Sequence, residues 1–141
     1  MKHMYLLLTA LLLLTACDDK ALVNIYKKKI TQTPISCIKL NVIPEEPMIS
    51  KTLNARYHFS DDCDLTLEVS YKSGITCNSR FNAATKATTG FPSSYLKIEL
   101  RRGMTLQYSY YIDLKEKPTE HDVNSGFDRI EKDLKIASKV R

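Results

Sequence analysis

The chain has 141 residues, with 21 lysines and arginines against 16 aspartates and glutamates, a formal net charge of +5, eight tyrosines and no tryptophan. That length is one domain's worth of sequence. The positives interleave with acids, as in Lys97-Ile98-Glu99-Leu100-Arg101, and only Lys27-Lys28-Lys29 forms a run, so the charge argues against nucleic acid as a partner. From the start of the chain, Met1-Lys2-His3-Met4 leads into "YLLLTALLLLTA", twelve uncharged and mostly apolar residues from Tyr5 to Ala16. A membrane-crossing helix needs about 20 such residues. A short basic segment followed by an apolar run of this length is the pattern of a secretory signal, expected to occupy residues 1–16.

An ordinary signal cleavage site asks for small residues at the last and third-last positions before the cut. Cutting after Ala16 puts the bulky Leu14 third-last, which fits poorly. Leu14-Thr15-Ala16-Cys17 instead resembles the lipobox of bacterial lipoproteins. The resemblance implies cleavage between Ala16 and Cys17 and a diacylglycerol on the Cys17 thiol. It leaves a mature chain of 125 residues, 141 less the 16 of the signal. Two or more acyl chains hold a protein stably at a membrane where one does not, so the chain is expected to be tethered and not to span. Asp18, followed by Asp19, stands where an aspartate in enterobacterial lipoproteins resembles an inner-membrane retention signal. The expected location is therefore the periplasmic face of the inner membrane, with the outer membrane as the alternative.

Residues 17–34 read as a lipid-anchored tether closed by Pro34, with residues 35–141 as a single globular domain. The lysines at 27–29 in that tether are placed to meet anionic headgroups. From Cys37 onward the period-two signal of strands takes over. Residues 37–43 ("CIKLNVI"), 53–60 ("LNARYHFS") and 64–71 ("DLTLEVSY") alternate apolar with polar positions, and turn chemistry lies between them. Residues 78–90 suggest a short helix closed by Gly90. Residues 95–100 and 105–114 form a hairpin with Arg102-Gly103 in its turn, one face carrying Leu106, Tyr108, Tyr110 and Ile112. The tail is an amphipathic helix with Ser125 as its cap and Phe127, Ile130, Leu134 and Ala137 along one side. All four glycines are placed at element boundaries. The expected fold is α+β: an antiparallel sheet of about five strands with the C-terminal helix packed on it.

After lipidation of Cys17, three cysteines remain: Cys37, Cys63 and Cys77. An oxidising compartment favours one disulfide. A simple meander brings Cys37 and Cys63 to one end of the sheet, and Cys63–Cys77 is the alternative pairing. Zinc is disfavoured because the chain lacks a C-x-x-C pair. Asp61, Asp62 and Asp64 read as a turn rather than a calcium loop, since the characteristic glycine and distal glutamate are missing. His58 and His121 are isolated in sequence, and no nucleophile motif accompanies them. Neither catalysis nor a cofactor is expected. The hairpin offers the one surface above background: Tyr111, facing away from Tyr108 and Tyr110, shares a sheet face with Lys97 and Arg101. Tyrosine with arginine is the composition of protein-binding surfaces. The expectation is a protein-binding accessory or immunity-type module of the cell envelope. The alternatives are an envelope-maintenance lipoprotein without a tight partner, or a pilotin-type accessory at the outer membrane.

Overall fold

A computed structural model describes residues 21–75 and 92–137. The signal segment, Cys17, Asp18, Asp19, Cys77 and the expected helix at 78–90 lie outside the described residues. The elements, in chain order, are β1 (Leu22–Ile25), α1 (Lys29–Gln32), β2 (Lys39–Ile43), α2 (Pro47–Asn54), β3 (Leu65–Lys72), β4 (Ser94–Arg102), β5 (Thr105–Leu114) and α3 (Glu120–Asp133). The five strands make one sheet in the order β1-β5-β4-β3-β2. It is mostly antiparallel, with β2 running parallel to β3. The fold is thus α+β with a C-terminal helix packed on the sheet.

Cross-strand registry turns the alternating sequence into two continuous apolar rows. Leu40, Leu67, Leu100, Tyr108 and Ile25 line up across all five strands, and Val42, Val69, Ile98, Tyr110 and Val23 form the next row. The central members of both rows are buried. Helix α3 covers this face with Val123, Phe127 and Ile130, spaced so that they share one side of the helix. Helix α2 lies beside α3 and contributes Ile49 and Leu53 to the same core. The rings of Phe59 and Phe127 meet at 6.5 Å. The Arg56 guanidinium bonds Asp128 at 2.6 Å, pairs also with Glu131, and sits over the Phe127 ring, fastening the segment after α2 to α3.

Several elements differ from the sequence expectation, each for a local physical reason. The strand expected at 53–60 does not form. Its apparent alternation holds Leu53 and Tyr57, four residues apart, which is also one helical turn. Leu53 lies in the last turn of α2, which starts at Pro47, a residue suited to a first helical turn. The sheet reaches five strands because Leu22–Ile25, expected to be tether, pairs with β5 as an edge strand. α1 then buries Ile30, and Ile35 bridges Ile136, so residues 21–34 belong to the folded domain.

The C-terminal helix begins earlier than expected. Its cap is Thr119, not Ser125: the Thr119 hydroxyl accepts from the Asp122 backbone while the Asp122 carboxylate accepts from the Thr119 N–H at 2.7 Å. Ser125 is an interior residue, the helix ends at Asp133, and Ala137 lies past its end. Gly126 is likewise no boundary. A Cβ there would stand 2.7 Å from Ile98 Cδ1 and 3.0 Å from Tyr110 Cε1, so the missing side chain is what lets α3 settle onto β4 and β5. In the hairpin the register shifts between Leu100 and Arg101, which sets Leu106 opposite Arg101 and takes it out of the Tyr108 row.

Cys37 and Cys63 are bonded to each other, with Cα atoms 5.5 Å apart. The meander invoked for that pair does not exist. The two cysteines each precede the start of a strand, and because β2 and β3 run parallel those starts lie side by side.

Candidate functional site

The helices lie on one face of the sheet, and the opposite face carries the interleaved polar residues. Its rows are equally continuous. Asn41, Glu68, Glu99, Ser109 and Asn24 cross the five strands, and beside them run Ile43, Ser70, Lys97, Tyr111 and Leu22. Lys97 and Tyr111 are therefore direct cross-strand partners, and Arg101 is four residues further along β4 on the same face. The three residues singled out from the sequence do share one surface.

What organises that surface is Glu99, a carboxylate at the middle of the central strand whose side chain is only 7% exposed. A lone charge so placed is costly to desolvate. Three positive contacts offset this. Arg101 donates to Oε2 from Nε at 3.1 Å and from Nη2 at 2.7 Å, and the Lys97 ammonium lies 3.2 Å from Oε1. Burial pushes the Glu99 carboxyl up. The hydrogen bonds from Arg101 and Lys97 outweigh it and hold the group below the ordinary carboxylate range. Arg101 also comes within 3.9 Å of Glu68. Two acids and two bases thus neutralise one another, and neither base is a free cation awaiting an acidic partner.

Beside this cluster, Tyr95 and Tyr111 stack with ring centroids 5.5 Å apart. The Tyr111 hydroxyl donates to Asp113 Oδ1 at 2.8 Å. Burial first, and the Asp113 carboxylate second, push the Tyr111 phenol up to about 12. Tyr95, Glu68 and Asp113 were not singled out by sequence reasoning. All occupy the strand positions whose parity matches Lys97 and Tyr111, which was the signal available. The resulting surface is a charge-compensated platform edged by two stacked rings. It offers aromatic area and hydrogen-bonding groups, the composition of surfaces suited to flat contact with another macromolecule.

The other residues considered from the sequence stay apart. His58 is exposed after α2 and His121 is exposed in the first turn of α3. Asp61, Asp62 and Asp64 are exposed, and Asp61 pairs with Lys39 at 3.3 Å. Among the described residues no group of three or more histidine, cysteine or acidic side chains is gathered for a metal ion, and no helix is long and apolar enough to cross a membrane. Two further polar clusters join elements to one another. Tyr108 donates to Asp133, which also accepts from Arg129. Tyr71 and Lys117 both reach Glu46.

Comparisons with protein-family models, with curated proteins and with solved structures yielded no match to this chain.

Proposed function

We propose that this chain is a small lipoprotein of the bacterial cell envelope, held by acyl chains on Cys17 at the periplasmic face of the inner membrane, and that its domain binds a protein partner. The observation that carries the proposal is Leu14-Thr15-Ala16-Cys17 closing the twelve-residue, mostly apolar run that begins at Tyr5. Asp18 and Asp19 support inner-membrane retention. The Cys37–Cys63 bond suits an oxidising compartment. The partner-binding surface is the polar sheet face bearing Lys97, Arg101 and Tyr111, to which the Tyr95–Tyr111 stack adds aromatic area. In this reading the protein is an accessory or immunity-type module. It has no assigned catalytic residue, cofactor or nucleic-acid partner.

The test is a Cys17→Ser variant expressed beside the native chain. Native protein should be processed and recovered in the inner-membrane fraction, while the variant remains an unprocessed precursor. Normal processing and membrane recovery of the variant would overturn the lipoprotein assignment. Crosslinking of the lipidated protein in cells then tests partner binding. A single stoichiometric partner from the inner membrane is expected. Capture from the outer membrane alone would favour the pilotin-type role.

A further inference from the structure

Among the described residues, five large apolar side chains are exposed, and four of them belong to the β1 edge of the sheet and the turn that leads into its neighbour β5. Leu22 (61% exposed) and Ile25 (45%) lie on β1, Tyr26 (53%) follows it, and Met104 (95%) tips the β4–β5 turn. The fifth, Ile43, is on β2 at the far edge of the sheet. Leu22 and Ile25 flank the β1 edge from opposite faces of the sheet, and the Ile25 end runs on into the turn. The Tyr26 N–H donates to the Gln107 carbonyl, which places Tyr26 against the start of β5, three residues from Met104. Exposed Lys27, Lys28 and Lys29 follow immediately. Lys27, Lys29 and Arg102 then line a hollow of about 510 Å³ with Ile30, Thr33 and Gln107, and no acid lines it.

Apolar side chains edged by lysine and arginine have the chemistry of a surface that meets anionic lipid: the apolar groups enter the headgroup boundary and the cations hold its phosphates. The connection to Cys17 supplies the second argument. Leu22 follows Cys17 by only five residue steps. At about 3.6 Å per residue they reach no more than about 18 Å even when fully drawn out. Since β1 is part of the sheet, nothing beyond those five steps can pay out as tether.

We infer that this corner of the domain, formed by the β1 edge, Tyr26–Lys29 and the Met104 turn, rests on the anionic lipid surface to which Cys17 ties it. The inference depends on the lipoprotein reading above. It stands the sheet on its β1 edge, so that the face with Lys97, Arg101 and Tyr111 rises from the membrane and is open to a partner alongside.

The chain contains no tryptophan, so one introduced tryptophan reports alone. Met104→Trp and, as the distant control, Ile43→Trp are to be made in the full chain, purified with its acyl groups. Each is then placed in vesicles of phosphatidylethanolamine and phosphatidylglycerol, with and without bromine on the acyl chains. Emission from Met104→Trp should shift to the blue and be lost to brominated lipid, while Ile43→Trp is unaffected. Replacing Lys27, Lys28 and Lys29 by Gln should reduce that loss. Protein that floats with the vesicles but leaves Met104→Trp unquenched, or quenches both positions equally, would overturn the docking inference and leave the anchor intact. Protein that fails to float at all would overturn the lipoprotein reading, and the docking inference with it.

Discussion

Glu68 and Glu99 are direct cross-strand partners on the polar face of the sheet, and Arg101 reaches both carboxylates from its place opposite Thr66, two residues along the ladder. Like charges placed opposite one another on a sheet destabilise it. The arrangement holds because Arg101 and Lys97 supply two compensating charges within the same strand.

The Glu99 cluster predicts a pH dependence of stability. The folded carboxyl titrates below its ordinary value of 4.5, so below that value the unfolded chain takes up a proton more readily than the folded one. The contribution is therefore complete above pH 4.5 and is lost as pH falls through the folded value. Glu99→Gln should lower stability at neutral pH by about 2 kcal/mol, the scale of hydrogen bonds to a charged group. Its denaturant midpoint should also fall less steeply in acid than that of the native chain. Parallel acid limbs for the two proteins would show that Glu99 does not govern this window.

Gly126→Ala sets two effects against each other. Alanine favours a helix interior by about 1 kcal/mol over glycine. Its Cβ, however, would overlap the buried Ile98 and crowd the Tyr110 ring, and overpacking a core typically costs about 1–3 kcal/mol. The expected result is a net loss of about 1 kcal/mol in chemical denaturation, with Gly126→Leu worse. A gain in stability for the alanine variant would mean that Ile98 swings aside without cost.

Cys37→Ser paired with Cys63→Ser opens a crosslink that spans 26 residues of sequence. Loop-closure entropy puts its contribution at about 3.5 kcal/mol. The double variant should lose about that much in equilibrium denaturation. Native protein treated with reductant should match it, and equal stability before and after reduction would show that the bond contributes nothing.

Tyr111 tests the proposed binding surface. Tyr111→Phe keeps the stack on Tyr95 but removes the bond to Asp113. Tyr111→Ala removes both and should cost about 1 kcal/mol of stability, with partner capture abolished while the fold persists. Ultraviolet titration gives an independent check, because Tyr111→Phe should lose a phenol ionisation near pH 12. The phenol's raised value means that its contribution is present below the ordinary 10.0 and is lost only as pH climbs toward 12. Undiminished capture by Tyr111→Ala would move the binding site elsewhere.

The parts of the fold legible in the sequence are those where one period ran uninterrupted over a long strand. β3, β4 and β5 alternate cleanly because one face meets the helices and the other carries polar groups. The segment from Leu53 to Phe59 misled because a helix end followed by extended chain mimics alternation over a few residues. β1 was hidden because four residues are too few to show a period, and its strand character comes from the β5 edge it pairs with. Ser125 read as a cap because the true one, Thr119, belongs to a stretch containing Pro118 and charged residues that resembles a loop. Tyr111, Lys97 and Arg101 could be grouped by parity alone. That Glu99 would be the buried hub could not, since its burial depends on its place at the centre of the sheet.

The bond between Cys37 and Cys63 makes the stretch from one cysteine to the other, α2 included, a closed ring of backbone. A protease that nicks the exposed turn at Asp61–Asp62 opens the ring without dividing the molecule. The piece holding β1 and β2 and the piece holding β3, β4 and β5 remain one covalent particle, which migrates as a single band until a reductant parts them. A single cut there would leave β3, β4, β5 and α3 joined to everything upstream of Cys37.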